Sequence, residues 1–147
     1  MASAAGIGKL AKFRALSAAD QWLIVRAAFW LLIARIMIAV TTFEKLAQRL
    51  SSGQASERVV GDPDLLKRVG YAVTAAAAHV PWRSDCFPQT IAARMLLKGY
   101  DHPSAIHLGV ERVGDSDLAG HAWLTCGDVV VVGGDELDRY TEVHRLT

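Results

Sequence analysis
The chain has 147 residues, 52% of them hydrophobic and 21% charged, with a formal net charge of +1. That length suits one compact domain with its own core, the composition excludes a disordered chain, and the charge gives no bulk attraction to nucleic acid. The charge is unevenly placed, with seven Lys/Arg against two Asp/Glu in residues 1–50 and nine against thirteen in the rest. The simplest reading is a set of basic residues solvating helix faces; contact with a membrane surface or an acidic partner is the less favoured one.

Residues 1–16 show no firm pattern. "MASAAGIGKLAKFRALSAAD" lacks the long apolar core of a signal peptide, so the expected compartment is the cytoplasm, with Cys86 and Cys126 kept reduced. "SAAD" from Ser17 resembles a capping box and predicts a helix from about Ala18 to about Val40. Its apolar stretch Trp22–Val40 raises the question of a membrane span. Arg26 and Arg35 interrupt it, each costing about 2.5–3.5 kcal/mol near a bilayer centre. The stretch therefore reads as a helix buried on most sides with its arginines at a rim. Thr41-Thr42 bends it or caps a second piece, "FEKLAQRL", and "SSGQAS" reads as a loop. Asp62 as N-cap and Pro63 in the first turn start another helix, which Pro81 ends. A further helix follows, with Asp85 or Cys86 as N-cap, Pro88 in the first turn and Gly99 as its stop.

The texture then changes. "SAIHLGVERV" alternates as a strand, "GDSDLAG" is a turn or loop, and "HAWLTC" and "VVVV" are strands joined at Gly127-Asp128. "RYTEVHRLT" supplies a last edge strand. Helices first and strands after predict an α+β fold, N-terminal helices packed on a small antiparallel sheet. A helical region over 1–60 and a core over 61–147 belong to one compact domain.

Two residues stand out chemically. Cys86 opens a helix, where unpaired backbone N–H groups and the helix dipole favour a thiolate and face a developing oxyanion. Taken alone it reads slightly better as a packed, inert cysteine. His121 stands in "GHAWL" at a strand start, where its ring lies near a sheet end and serves as a base for a thiol, if not simply as a structural histidine. A third group should orient the imidazole. With a two-residue turn at Gly127-Asp128, His121 falls opposite Gly134, and Asp135 is the nearest carboxylate. Strict alternation points Asp135 to the other face, a bend at Gly133-Gly134 corrects this, and Glu136 is the alternative. Trp82 and Trp123 read as core, or as walls of a peptide groove. The cysteines and histidines lack metal-ligand spacing, and there is no phosphate loop, so no metal or cofactor is expected.

Together "PWRSDCFPQTIAARMLLKGY", "HLGV" and "GHAWLTCGDVVVVGGDELDRY" resemble the transglutaminase-like cysteine peptidases of lasso-peptide biosynthesis, the B-type maturation enzymes that remove the leader from a precursor. The resemblance covers about Pro81 to Tyr140. It implies a transglutaminase-like, papain-like core, with Cys86 as nucleophile, His121 as base and Asp135 as the best match for the acid. It implies the precursor leader peptide as substrate, a separate leader-recognition protein and a lasso cyclase as partners, and a cytoplasmic setting. A transglutaminase-like acyl transferase and a non-catalytic interaction protein of the same fold are the rival readings.

Overall fold
A computed structural model describes residues 4–51 and 61–147. Five helices precede a four-stranded antiparallel sheet: α1 (Ala4–Ala15), α2 (Ala18–Val40), α3 (Phe43–Leu50), α4 (Pro63–Ala77), α5 (Cys86–Lys98), β1 (Ala105–Val113), β2 (Asp117–Cys126), β3 (Val129–Val132) and β4 (Thr141–Leu146), in sheet order β3-β2-β1-β4. The expected α+β architecture is therefore the one the chain adopts.

The helix ends follow local chemistry. The Ser17 hydroxyl accepts from the Asp20 N–H at the start of α2, and the Asp62 carboxylate accepts from the Asp64 N–H at the start of α4, with Pro63 in the first turn. Asp85 is the N-cap residue of α5, so Cys86 is its first helical residue, and Gly99 ends it. Most of the loop predicted at "SSGQAS" lies outside the described residues. The predicted loop at "GDSDLAG" shrinks to a tight turn, because β2 already begins at Asp117.

Two expectations need correction. The unpatterned start is largely helical, as α1, and its Phe13 and Leu16 border an apolar groove with Ile24 of α2 and Tyr71 of α4. Such packing leaves no periodic signal in twelve residues. The long helix α2 is not buried on most sides. Leu23, Ala27, Leu31 and Ala34 enter the core along one stripe, while Trp22, Val25, Phe29 and Ile36 on the opposite side remain exposed. Arg26 does sit at a rim, donating to the Tyr100 hydroxyl at 3.0 Å.

One core joins these layers. Leu31 of α2, Leu66 and Val69 of α4, Ile91 and Leu96 of α5, Ile106 of β1, Leu124 of β2 and Leu146 of β4 all belong to it. Arg94 of α5 fastens three parts of the rim, donating to the carbonyls of Ser104, Leu146 and Leu50. Burial pushes the pKa of this guanidinium down, and the three carbonyls are what make its position tenable.

Candidate active site
The order of packing determines where Cys86 and His121 lie. Beyond the C-terminal end of α5, His102 Nε2 accepts from the Asp62 N–H at 3.2 Å. Neighbouring Gly61 approaches both His102 and the sulfur of Cys126, the last residue of β2. The C-terminal ends of α5 and β2 are thus together, and the two elements run the same way. Arg94 reaches the carbonyl of Leu146, which is level with Leu124 through Ile106. From that level Cys86 is about 12 Å up the helix and His121 about 10 Å up the strand. Both residues therefore lie toward the same end of the helix–sheet sandwich.

The two sulfurs differ. Cys126 is buried in the core, and burial raises its thiol pKa although the Gly61 N–H opposes this. Cys86 is only half-buried, and it alone combines access with a helix start.

Strand alternation sorts β2 into two faces. Ala122, Leu124 and Cys126 point into the buried interior, so His121, Trp123 and Thr125 point to the outer face. There the rings of His107, Trp123, His121 and Tyr140 stack in a row, with centroid separations of 5.3, 6.2 and 4.6 Å. Gly109, opposite His121 in the ladder, makes room for this row: a Cβ there would lie 2.8 Å from the Trp123 ring and 3.1 Å from Tyr140. Trp123 is 8% exposed and presents little surface to a ligand.

The imidazole is held by a backbone group. His121 Nε2 lies 2.8 Å from the Gly133 carbonyl oxygen. A carbonyl only accepts, so Nε2 carries the proton, and in the neutral ring Nδ1 is left as the basic nitrogen. Gly133 has φ +78°, a left-handed conformation that glycine adopts freely, and this turns its carbonyl to the ring. The bend expected at Gly133-Gly134 is preceded by an earlier irregularity, since the β2–β3 register shifts where Leu124 pairs Val132 but Thr125 pairs Val130. Because β3 ends at Val132, no strand among the described residues pairs the edge of β2 beyond Leu124, and His121 lies beside that gap.

The remaining candidates fall around this centre. Asp135 is exposed and makes no hydrogen bond to the His121 ring; it lines an open groove of about 440 Å³ with Gly133, Gly134 and the α4 residues Gly70, Tyr71 and Thr74. Glu136 takes φ +54° and pairs with Arg139 at 2.5 Å. Trp82 is half-buried, and its indole N–H, like the Ser84 hydroxyl, is buried with no partner among the described residues. Cys86 Sγ has no hydrogen bond to the His121 ring. The roles of Tyr140 and of the Gly133 carbonyl were not legible as chemistry, though a glycine inside the "HLGV" strand and paired glycines after "VVVV" are both signals of close backbone approach.

Comparison with known proteins agrees with this construction at the level of family. Neither the curated proteins nor the solved structures give a match. The profile described as transglutaminase-like superfamily matches residues 28–145, from α2 to the last strand, and includes Cys86, the "HAW" strand and everything between them. That superfamily consists mostly of cysteine-dependent enzymes, and the chain belongs to it.

Proposed function
We propose that the protein is a cysteine endopeptidase that removes the leader from a ribosomally made lasso-peptide precursor, working in the cytoplasm with a leader-recognition protein and handing the core peptide to a lasso cyclase. The observation that carries the chemistry is the His121 ring, whose proton is committed to the Gly133 carbonyl so that Nδ1 is free to act as base, toward the end of the sandwich where Cys86 starts α5. The resemblance of the "DCFPQT" and "GHAWL" segments to the lasso peptidases supports the substrate class.

Cys86 starts a helix on the inner face of the sheet and the His121 ring lies on the outer face. In this mechanism Sγ and Nδ1 therefore close on each other around the edge of β2 when substrate binds. Catalytic hydrogen bonds often close only in the substrate complex. His121 Nδ1 takes the Cys86 proton, and the thiolate attacks the scissile carbonyl. The N–H groups of the first turn of α5 stabilise the oxyanion. The imidazolium returns its proton to the leaving amine, and water, deprotonated by the same nitrogen, hydrolyses the thioester. The groove between α4 and the Gly133–Asp135 segment is the path offered to an extended peptide.

The test is cleavage of a precursor peptide in the presence of its recognition protein, followed by mass spectrometry. Cys86→Ala and His121→Ala should each lower the rate at least about a thousandfold. Undiminished cleavage by Cys86→Ala would overturn the assignment. Transfer of the acyl group to an added amine in preference to water would instead identify an acyl transferase with the same nucleophile.

A further inference from the structure
The exposed side of α2 carries a second pattern that the catalytic reading does not use. Trp22, Val25, Phe29, Leu32, Ile36 and Ala39 recur at steps of three and four, the a and d positions of nearly three heptads, and all six are exposed. Trp22 is 63% and Phe29 55% exposed. Alternate three- and four-residue spacing is the seam of a helix that packs along another helix. With Val40 beside them, these side chains expose on the order of 600 Å², the lower end of what each partner gives to a specific interface. Single domains seldom leave an apolar patch of that size open to water.

We infer that α2 is the interface of a two-fold homodimer in which the α2 helices of two copies lie antiparallel along this seam. The order of sizes along the stripe selects both the partner and the direction. In an antiparallel pair the a residues of one helix meet the d residues of the other in reverse order. Trp22 then meets Ala39, Val25 meets Ile36 and Phe29 meets Leu32, all about one centre between residues 30 and 31. Each layer joins a larger side chain to a smaller one, so every layer fills. A parallel pair in register would set Trp on Trp and Phe on Phe, then Ala on Ala, crowding some layers and emptying another. The flanking charges agree. The antiparallel register puts Arg35 beside Gln21 of the partner copy and Arg26 beside its Val40, so no arginine faces another. Such a contact is isologous and closes at two copies. The opposite side of α2 is already occupied by the core, which leaves the seam as the surface available for a second chain.

Sedimentation velocity over about 1–100 µM should give a dimer for the full chain, and Phe29→Glu should give a monomer with an unchanged helical circular-dichroism signal. Direction is read by disulfide formation in a Cys86→Ser background. An equimolar mixture of Trp22→Cys and Ala39→Cys chains should cross-link under mild oxidation, while either chain alone should not, because like positions then lie about 25 Å apart. A monomer throughout the range would overturn the inference. So would cross-linking of Ala39→Cys alone, or a chain that is monomeric in solution yet floats with anionic phospholipid vesicles.

Discussion
At the scale of single residues, what distinguishes Cys86 from Cys126 is position and access. Cys126 is sealed in the core with its thiol pKa raised by burial, and Cys86 is partly open at a helix start. Iodoacetamide at neutral pH should therefore modify one thiol in the native chain, found by peptide mapping at Cys86, and the second only in denaturant. Equal modification of both would contradict this placement. The third member of the site allows a sharper prediction. Since the ring already has its acceptor in the Gly133 carbonyl, Asp135→Asn should change the cleavage rate by less than about tenfold, against the thousandfold losses at Cys86 and His121. A loss as large as theirs would mean that the carboxylate takes over the ring in the substrate complex. The helix start at Cys86 was legible because a cap is a local pattern. His121, expected at a strand start near a sheet end, is instead the fifth residue of β2 and pairs Gly109 in the middle of β1, because β2 already begins at Asp117. The Gly133 carbonyl was not legible, because a backbone acceptor has no residue type of its own, and its aim depends on a register shift several residues away.

At the scale of elements, caps and alternation accounted for most of what forms. Ser17, Asp62 with Pro63, and Gly99 mark helix ends by chemistry that acts within one turn, and Gly127-Asp128 does the same for the β2–β3 hairpin. α1 escaped notice because its apolar residues meet α2 and α4 only in three dimensions. Connections between elements rest on buried polar contacts. Arg94→Met removes the donor for three carbonyls and should destabilise the chain by about 3 kcal/mol, read as a lowered urea midpoint. An unchanged midpoint would show that water replaces the guanidinium. On the outer face, Glu142 of β4 lies 3.1 Å from His107 Nδ1 and 3.0 Å from Arg145 Nε. Burial raises the Glu142 pKa, but the hydrogen bond from Arg145 and the His107 ring beside it outweigh this and hold the carboxyl below its ordinary range. A carboxylate depressed on folding stabilises above its unfolded pKa of about 4.3 and loses that contribution as pH falls through the folded value. The stability gap between the native chain and Glu142→Gln should thus be widest above pH 5 and close toward pH 3. A gap independent of pH would mean that the carboxylate charge contributes nothing.

At the scale of the whole molecule, the question is whether the N-terminal helices are an appendage or part of the unit that holds the site. The sequence predicts a helical region over 1–60 beside a core over 61–147, within one compact domain. Packing runs across that line. Leu23, Ala27 and Leu31 of α2 share one core with α4, α5 and the sheet, and Leu50 of α3 receives Arg94 from α5. The sheet cannot hold α5 in place alone, since much of the buried face of α5 is covered by α2 and α4. A disturbance deep in α2 should therefore be felt at the sheet. Leu31 is fully buried, and Leu31→Ala should cost about 2–5 kcal/mol through lost burial and the cavity it leaves. In thermal unfolding the far-ultraviolet helix signal and the near-ultraviolet signal of the Trp123–Tyr140 row should fall together, in the native chain and in Leu31→Ala alike, with both shifted down equally. If the helix signal fell first while the aromatic row on the sheet stayed ordered, the helices would be a separate unit. The placement of Cys86 against His121 would then rest on the sheet and α5 alone.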